Sequence, residues 1–536
     1  MDKEKTINTI QPEEQELPSH FAYRLGEYYA TLNTAEHKKV RGQFFTPLEI
    51  ASFMTSLMQN NKSDISILDP GCGTGILSVT LIENLVEQSP IISNIELVGY
   101  EIDTSLIQFC ELSLQYLNQW LKSRKISLSY RVSNLDFILE NRRAIESTHD
   151  LFGNLPERYD FIVSNPPFFK LSKDDPRTKA AKSVVNGHAN IYSIFMAISA
   201  SLLKPQGQLV FIIPRSFCSG NYFQAFREFF FTTVDIVHAH LFHSRRSIFG
   251  KDNVLQEMII VKCVPKDTNI IRSNVSISSS QGLSDLCEVK IQELPARFIL
   301  DYESSAKILF LPTNDEEKKI IKLFSTFEGS LNKYGFQIST GPVVDFRSTE
   351  YIIEEGDLHN ELIAPLFWLH NVHKMDLKWP LKKKSKGQYI IVDNKSMPLL
   401  VRNKNYIFIR RFSSKDDKSR LIAAPYFSNA ISSKFIGIEN RVNYIYKPIG
   451  NLNRIELVGL TALLNSELFD KYFRILNGNV NVSSTELKLL PLPSLEKICA
   501  VGNELILKNA FSLTLINEIV NDKLEFKPVS IANDQD

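Results

Sequence analysis

The chain has 536 residues, 43% hydrophobic and 23% charged, with a formal net charge of +1. That length supports two or three domains, each with its own core, and the even charge balance means that any nucleic-acid surface must come from segregated charge. Six scattered cysteines (72, 110, 218, 263, 287 and 499) without a Cys-x-x-Cys pair argue against a zinc ribbon or a disulfide framework, and no apolar run reaches the roughly eighteen residues of a membrane span.

Residues 1–40 are polar and acidic and read as an N-terminal helical arm, with a helix around 18–33. From 41 to 265 short apolar strands alternate with helical stretches, the signature of a parallel sheet built from βαβ units. The predicted strands are Ile65–Asp69, Glu96–Glu101, Ser127–Val132, Asp160–Ser164, Gln208–Ile213, Val234–Leu241 and Val254–Cys263. Helices are predicted at 47–60, 76–88, 104–122, 190–203 and 221–231. Residues 266–315 are rich in Ser, Asn and Asp and read as a connecting segment. A mixed α and β domain follows over 316–500, then a helix and tail over 501–536.

Four motifs carry chemistry. In Gly42-Gln-Phe-Phe-Thr46-Pro47, Thr46 is placed as a helix N-cap and Pro47 at the first helical position, leaving a hydroxyl and free N–H groups for a carboxylate. In Ile65-Ser-Ile-Leu-Asp69-Pro-Gly71-Cys-Gly73-Thr-Gly75 a strand meets an acid and three alternating glycines. This is neither the G-x-G-x-x-G of dinucleotide binders nor a phosphate loop. An acid there repels pyrophosphate and attracts the cationic amino-acid end of S-adenosyl-L-methionine. At the next strand end, Glu101 of Gly99-Tyr-Glu101-Ile102-Asp103 can accept both ribose hydroxyls, and after the third strand Asp136-Phe137 can hold an adenine amine. Finally Asn165-Pro166-Pro167-Phe168 closes a strand. The prolines hold the chain rigid, carbonyls stand beside an amide, and a ring follows. Such a corner accepts both hydrogens of a planar exocyclic amine and suits methylation of an amino nitrogen on adenine, cytosine or an amide.

In this order the motifs resemble the gamma class (Taq type) of N6-adenine DNA methyltransferases of restriction-modification systems. The resemblance continues through Asn190-Ile-Tyr-Ser-Ile-Phe195, Leu203 to Pro214, and Ile248-Phe249-Gly-Lys-Asp-Asn-Val254. It implies a Rossmann-like class I S-adenosylmethionine-dependent methyltransferase sheet, with Thr46, Asp69, Glu101, Ile102, Asp136 and Phe137 lining the cofactor pocket. Asn165 and Pro166 would accept hydrogen bonds from the N6 amine of a flipped-out adenine, and Phe168 and Phe249 would sandwich its ring. Cys72 replaces the commoner Ala, and Phe168 stands where Tyr is frequent.

Downstream, Ile338 to Arg347, Phe408 to Lys415 and Leu463 to Arg474 resemble the target-recognition region of Eco-type and Pst-type methyltransferases. Gly478 to Leu487 departs from the usual wording, and Leu490-Pro-Leu-Pro493 closes the region. Together the resemblances cover most of residues 40–495. They imply a C-terminal mixed α/β target-recognition domain, duplex DNA as substrate, functional pairing with a cognate restriction endonuclease, and a monomer in a bacterial or archaeal cytoplasm. No metal is required.

Between Asn371 and Arg420 fourteen Lys and Arg face four acids, a local excess of ten. Lys382, Lys383, Lys384, Lys386, Arg410 and Arg411 are therefore expected on phosphates, and Arg441 and Arg474 are further DNA-contact candidates. Asn-Pro-Pro-aromatic also occurs in enzymes that methylate a release-factor glutamine and in some RNA guanine methyltransferases. Those chains are usually shorter and lack the Phe-Thr-Pro segment and a large basic domain. Two more functions compete: a bifunctional restriction-methylation enzyme, and a DNA-binding protein without catalysis. The first has no room for a nuclease before residue 42 and no nuclease signature after it; the second has no need of an intact Asn165-Pro166-Pro167.

Overall fold

In the strands of the first half both alternating sets of side chains are apolar, so both sheet faces must be covered. The computed structural model describes residues 10–32, 45–146, 156–185, 187, 189–244, 257–267, 274–300, 306–381, 386–413, 418–476 and 482–528. Two units divide the chain, Met1–Thr313 and Asn314–Asp536.

In the first unit helices α1 (Pro18–Leu32) and α2 (Leu48–Ser56) precede β1 (Asp64–Pro70), α3 (Ile76–Gln88), β2 (Asn94–Tyr100), α4 (Thr104–Lys122) and β3 (Ser127–Ser133). Then come α5 (Phe137–Asn141), β4 (Tyr159–Ser164), α6 (Pro176–Ala180), α7 (Ile191–Ser201), β5 (Leu203–Pro214), α8 (Gln224–Thr233), β6 (Val234–Phe242) and β7 (Met258–Pro265). The strands stand in the order β3-β2-β1-β4-β5-β7-β6, parallel except for β7, which runs antiparallel to both neighbours. This is the doubly wound methyltransferase sheet that the resemblance implies. Ile67, Phe161, Val163, Val210 and Ile212 pack into one core, while Leu68, Ile162, Leu209, Phe211 and Ile213 pack into the other.

The stretch 266–315, expected as a connection, instead carries two strands. Asn274–Ser280 pairs parallel with β6 and Ile291–Pro295 pairs antiparallel with it in turn, extending the sheet to nine strands. Serines in the first of these strands hid it, because its buried partners are polar. Ser278 bridges the rings of His238 and His240 at 2.9 Å each, and Ser280 lies 3.0 Å from the second nitrogen of His240.

Chain order reverses between β1 and β4, so a crevice opens at the carboxyl ends of these strands. The Ser164 hydroxyl donates to the Pro70 carbonyl across that point, at 2.5 Å. Helix α1 is fixed to the same unit by polar ties. The Ser19 amide and hydroxyl donate to Glu83 (3.0 and 2.9 Å), and the Tyr29 hydroxyl donates to Asp103 (3.0 Å).

The second unit holds a four-stranded antiparallel sheet of Gln337–Thr340, Val442–Tyr446, Tyr406–Arg410 and Ala423–Tyr426. A five-stranded mixed sheet has Ile363–Phe367 at its centre. Phe367 packs into the aromatic core with Phe408 and Tyr426, whereas Leu366 and Trp368 point into a second core with Ile390. Helices α9 (Arg454–Asn465) and α10 (Leu495–Lys508) cross where two glycines meet. A Cβ at Gly459 would collide with the Ile498 carbonyl, and one at Gly502 with that of Ile455. Among the described residues no helix is long and apolar enough to cross a membrane.

This packing sets two measurable properties. Gly459→Ala is expected to destabilise the fold by about 1–3 kcal/mol, the usual penalty of overpacking, read as a lowered melting temperature. Burial lowers the pKa of His238 to about 4 and of His240 to about 3. The unfolded chain therefore binds more protons between those values and about 6.5. The contribution of this pair, read as the difference in denaturant unfolding between wild type and a His238→Asn/His240→Asn variant, should be level above about pH 6.5 and fall as pH drops from there toward 4.

Candidate active site

The turn after β1 is set by its glycines. Gly71, Gly73 and Gly75 have φ of +78°, +57° and +83°, and a side chain at Gly73 would enter open space. The amides of Gly71 and Cys72 both donate to the Tyr100 carbonyl at 2.9 Å, binding this turn to the end of β2. Glu101, buried just beyond β2, accepts from the Gly73 amide (3.1 Å) and from the Asp103 amide (2.9 Å). Its pKa is raised, chiefly by burial.

Asp69 is 1% exposed, and burial pushes its pKa up to about 7. Neither oxygen accepts a hydrogen bond of ordinary geometry from the described residues. The neighbouring Ser78 hydroxyl, which moderates the shift, donates to the Gly75 carbonyl at 3.1 Å. An orphaned buried carboxylate is costly unless a ligand supplies the missing donors.

Asp136 ends the loop after β3 and caps α5. Its Oδ1 accepts from the amides of Ile138 (2.9 Å) and Leu139 (3.1 Å). Phe137 is buried between Tyr100 and Phe195, with ring centroids 5.3 and 5.0 Å away.

Asn165 leaves β4 beside these groups, and its amide nitrogen donates to the Thr46 hydroxyl at 3.1 Å. This corrects one expectation. Pro47, not Thr46, occupies the N-cap of α2: its carbonyl accepts from the Ala51 amide at 3.0 Å, and the helix begins at Leu48. The Thr46 hydroxyl is turned toward Asn165 and makes no cap bond. With its nitrogen taken by Thr46, the amide presents Oδ1 as its acceptor end.

A cavity of about 330 Å³ joins these groups. Of the cofactor candidates, Thr46, Gly71, Gly73, Glu101, Ile102, Asp136 and Phe137 line it, together with Asn165 and Pro167. Pro47, Asp69, Gly75, Pro166 and Phe168 are not among the lining residues. Phe168 is half-buried, edge-on to Tyr192 with centroids 6.3 Å apart, and packs against both cores. The ring that does line the cavity is that of the next residue, Phe169, which the motif does not include. Phe45, Tyr100, Phe195 and Arg177 also line it and were not singled out from sequence. The first three adjoin or lie within quoted motifs. Arg177 sits in a charged stretch with no signal of its own. Phe249 and Lys382, Lys383 and Lys384 lie outside the described residues.

The other DNA-contact candidates have partners inside the second unit. Lys386 pairs with Asp345 and lies 4.6 Å from the centre of the Trp368 ring. Arg410 donates to the Val372 carbonyl (2.7 Å) and Arg411 to that of Asn440 (3.0 Å). Arg474 pairs with Asp470 at 2.8 Å. Arg441 is 56% exposed and lies 3.5 Å from Glu439. Arg420, counted in the basic run, is fully buried and donates to the Ser413 carbonyl at 2.6 Å. The local excess of ten charges is therefore not all displayed at the surface.

The residues fit S-adenosylmethionine on the structure's own terms. An orphaned carboxylate stands at the end of β1, a second carboxylate follows β2, a third follows β3, and a glycine cradle lies between. The cavity is also within the usual size range of small-molecule sites. Comparisons with known proteins agree. The Eco57I restriction-modification methylase family matches residues 96–249. The type II methyltransferase M.PstI of Providencia stuartii is 30% identical over 496 residues, covering 92% of this chain and 95% of that protein. M.BsuBI of Bacillus subtilis, also a type II methyltransferase, is 31% identical over 88% of this chain and 91% of its own length.

On the expectation that Asp69 attracts the cationic amine of the cofactor from behind the cavity wall, affinity should weaken as pH falls below about 7. Equilibrium binding of labelled cofactor between pH 5.5 and 8 reads this slope, and Asp69→Asn should flatten it.

Proposed function

The chain belongs to the type II restriction-modification DNA methyltransferases and uses S-adenosylmethionine, and we propose that its target is N6 of an adenine rotated out of duplex DNA. One observation carries this reading: Asn165 stands in the wall of the cofactor cavity with its amide oriented by Thr46. The lone pair of an adenine amine is conjugated into its ring and is a poor nucleophile. Asn165 Oδ1 and the Pro166 carbonyl accept its two N–H groups and favour a pyramidal nitrogen with the lone pair exposed. When bound, S-adenosylmethionine supplies a sulfonium methyl that this lone pair can displace. The gain lies in orientation and preorganised dipoles, so no covalent enzyme intermediate is needed.

Extruding a base costs a few kcal/mol, and aromatic stacking at about 1–3 kcal/mol per base offsets much of it. Phe168 is assigned to one face of the ring and Phe249 to the other. What supports Phe168 is the rigid Pro166-Pro167 step before it and Tyr192 against its edge. Exposed cations of the second unit, Arg441 among them, are assigned to the DNA backbone together with Lys382, Lys383 and Lys384. Methylation then protects the site from a partner endonuclease.

Incubating the protein with methyl-tritiated cofactor and duplex DNA, followed by digestion to nucleosides, should place label in N6-methyladenine. Label in N4-methylcytosine, or in protein glutamine alone, would overturn the assignment. Asn165→Ala should lower kcat by roughly 10²–10³-fold while cofactor binding stays unchanged.

A further inference from the structure

Between Phe169 and Ile191 the chain makes an excursion that starts directly behind the Asn165 corner. Its two ends are tied together, Leu171 N–H to the Ala189 carbonyl at 2.7 Å and Ile191 N–H to the Phe169 carbonyl at 3.0 Å. Leu171, Ala181 and Val184 root it in the core. Arg177, on α6, projects from this excursion into the cavity wall.

The guanidinium is held in a fixed attitude. Its Nε and Nη2 fork onto Asp175 at 2.9 and 2.7 Å, and Asp175 also accepts from the Arg177 amide at 2.9 Å. That leaves Nη1, which lies 3.8 Å from Asp136 Oδ2. The guanidinium carbon is 5.8 Å from the centre of the Phe169 ring, another wall residue. Asp136 Oδ1 is already taken by the two α5 amides. The carboxylate is thus fixed at one oxygen by the helix it caps and steered at the other by Arg177.

The acids follow sheet order: Asp69 lies within the last residues of β1, outside the cavity lining, while Glu101 after β2 and Asp136 after β3 line the cavity. A ligand with a cationic amine at one end, a diol in the middle and an aminopurine at the other matches that series, with the purine amine at Asp136. We propose that Arg177 is a positioning residue for the purine end of the cofactor. It aims the outer oxygen of Asp136 and links it to the excursion that leaves the target-base corner. The inference rests on the cofactor and its orientation, not on which base is methylated.

The test therefore omits DNA, so that it and the base assignment fail separately. Equilibrium dialysis with tritiated S-adenosylmethionine compares wild type with Arg177→Gln, Arg177→Lys, Asp136→Asn and the double variant Arg177→Gln/Asp136→Asn. Arg177→Gln should weaken binding about two- to fivefold, the scale of a partly exposed ion pair, with Arg177→Lys partly restoring it. In the Asp136→Asn background the Arg177→Gln change should cost nothing further. Wild-type affinity in Arg177→Gln overturns the proposal. So do losses that simply multiply in the double variant, because Arg177 would then act independently of Asp136. If Arg177→Gln lowers the melting temperature, the Arg177→Lys and Asp136→Asn pair carries the same cycle.

Discussion

The hydrogen bond from the Ser164 hydroxyl to the Pro70 carbonyl joins the two strand ends between which the sheet changes direction. A parallel sheet whose helices lie on opposite faces must part at that point, and the opening is where a ligand can reach backbone and side chains from several strands at once. The remaining elements of the site hang from this junction. β1 delivers Asp69 and the glycine turn, and β4 delivers Asn165 and its prolines. The bond extends to the strand ends the parallel pairing of Ile67 with Phe161 and Leu68 with Ile162.

Around that junction the electrostatics are arranged for a guest. Three carboxylates project from successive strand ends, and two of them are raised in pKa by burial. Glu101 is partly satisfied by backbone amides, whereas Asp69 has none of ordinary geometry. A protein would gain stability by replacing Asp69 with a well-packed apolar residue. In the proposed reading that cost is offset when the cationic end of the cofactor approaches the turn. The same logic explains why the Thr46 hydroxyl leaves its helix: orienting the amide of Asn165 takes precedence over closing one exposed turn.

Much of the first unit was legible because short continuous apolar runs and glycine punctuation are local signals. Strand positions, the glycine turn and the Asn165 corner follow from residues adjacent in sequence. Four things were hidden for physical reasons. The strand at Asn274–Ser280 is polar because it serves two buried histidines, and this reads as loop composition. The choice between Thr46 and Pro47 as cap depends on Asn165, more than a hundred residues away. Arg177 matters only through Asp136, a contact that no spacing rule encodes. Finally, a charge count cannot tell a displayed cation from one such as Arg420, whose guanidinium is spent on a buried carbonyl.

The glycine crossing of α9 and α10 bears on how the second unit could be exchanged between relatives. Asn465, at the end of α9, receives the Ala423 amide and returns a bond to its carbonyl, so the sheet of the second unit leans on that helix. Because α9 is seated in turn on α10 with backbone nearly touching backbone, the β-strands cannot be transplanted by themselves. A graft that ended before Leu495 would leave α9 facing water where it now meets peptide. Swaps of the second unit between methyltransferases of this kind should therefore carry the trailing helices as one cassette with the strands.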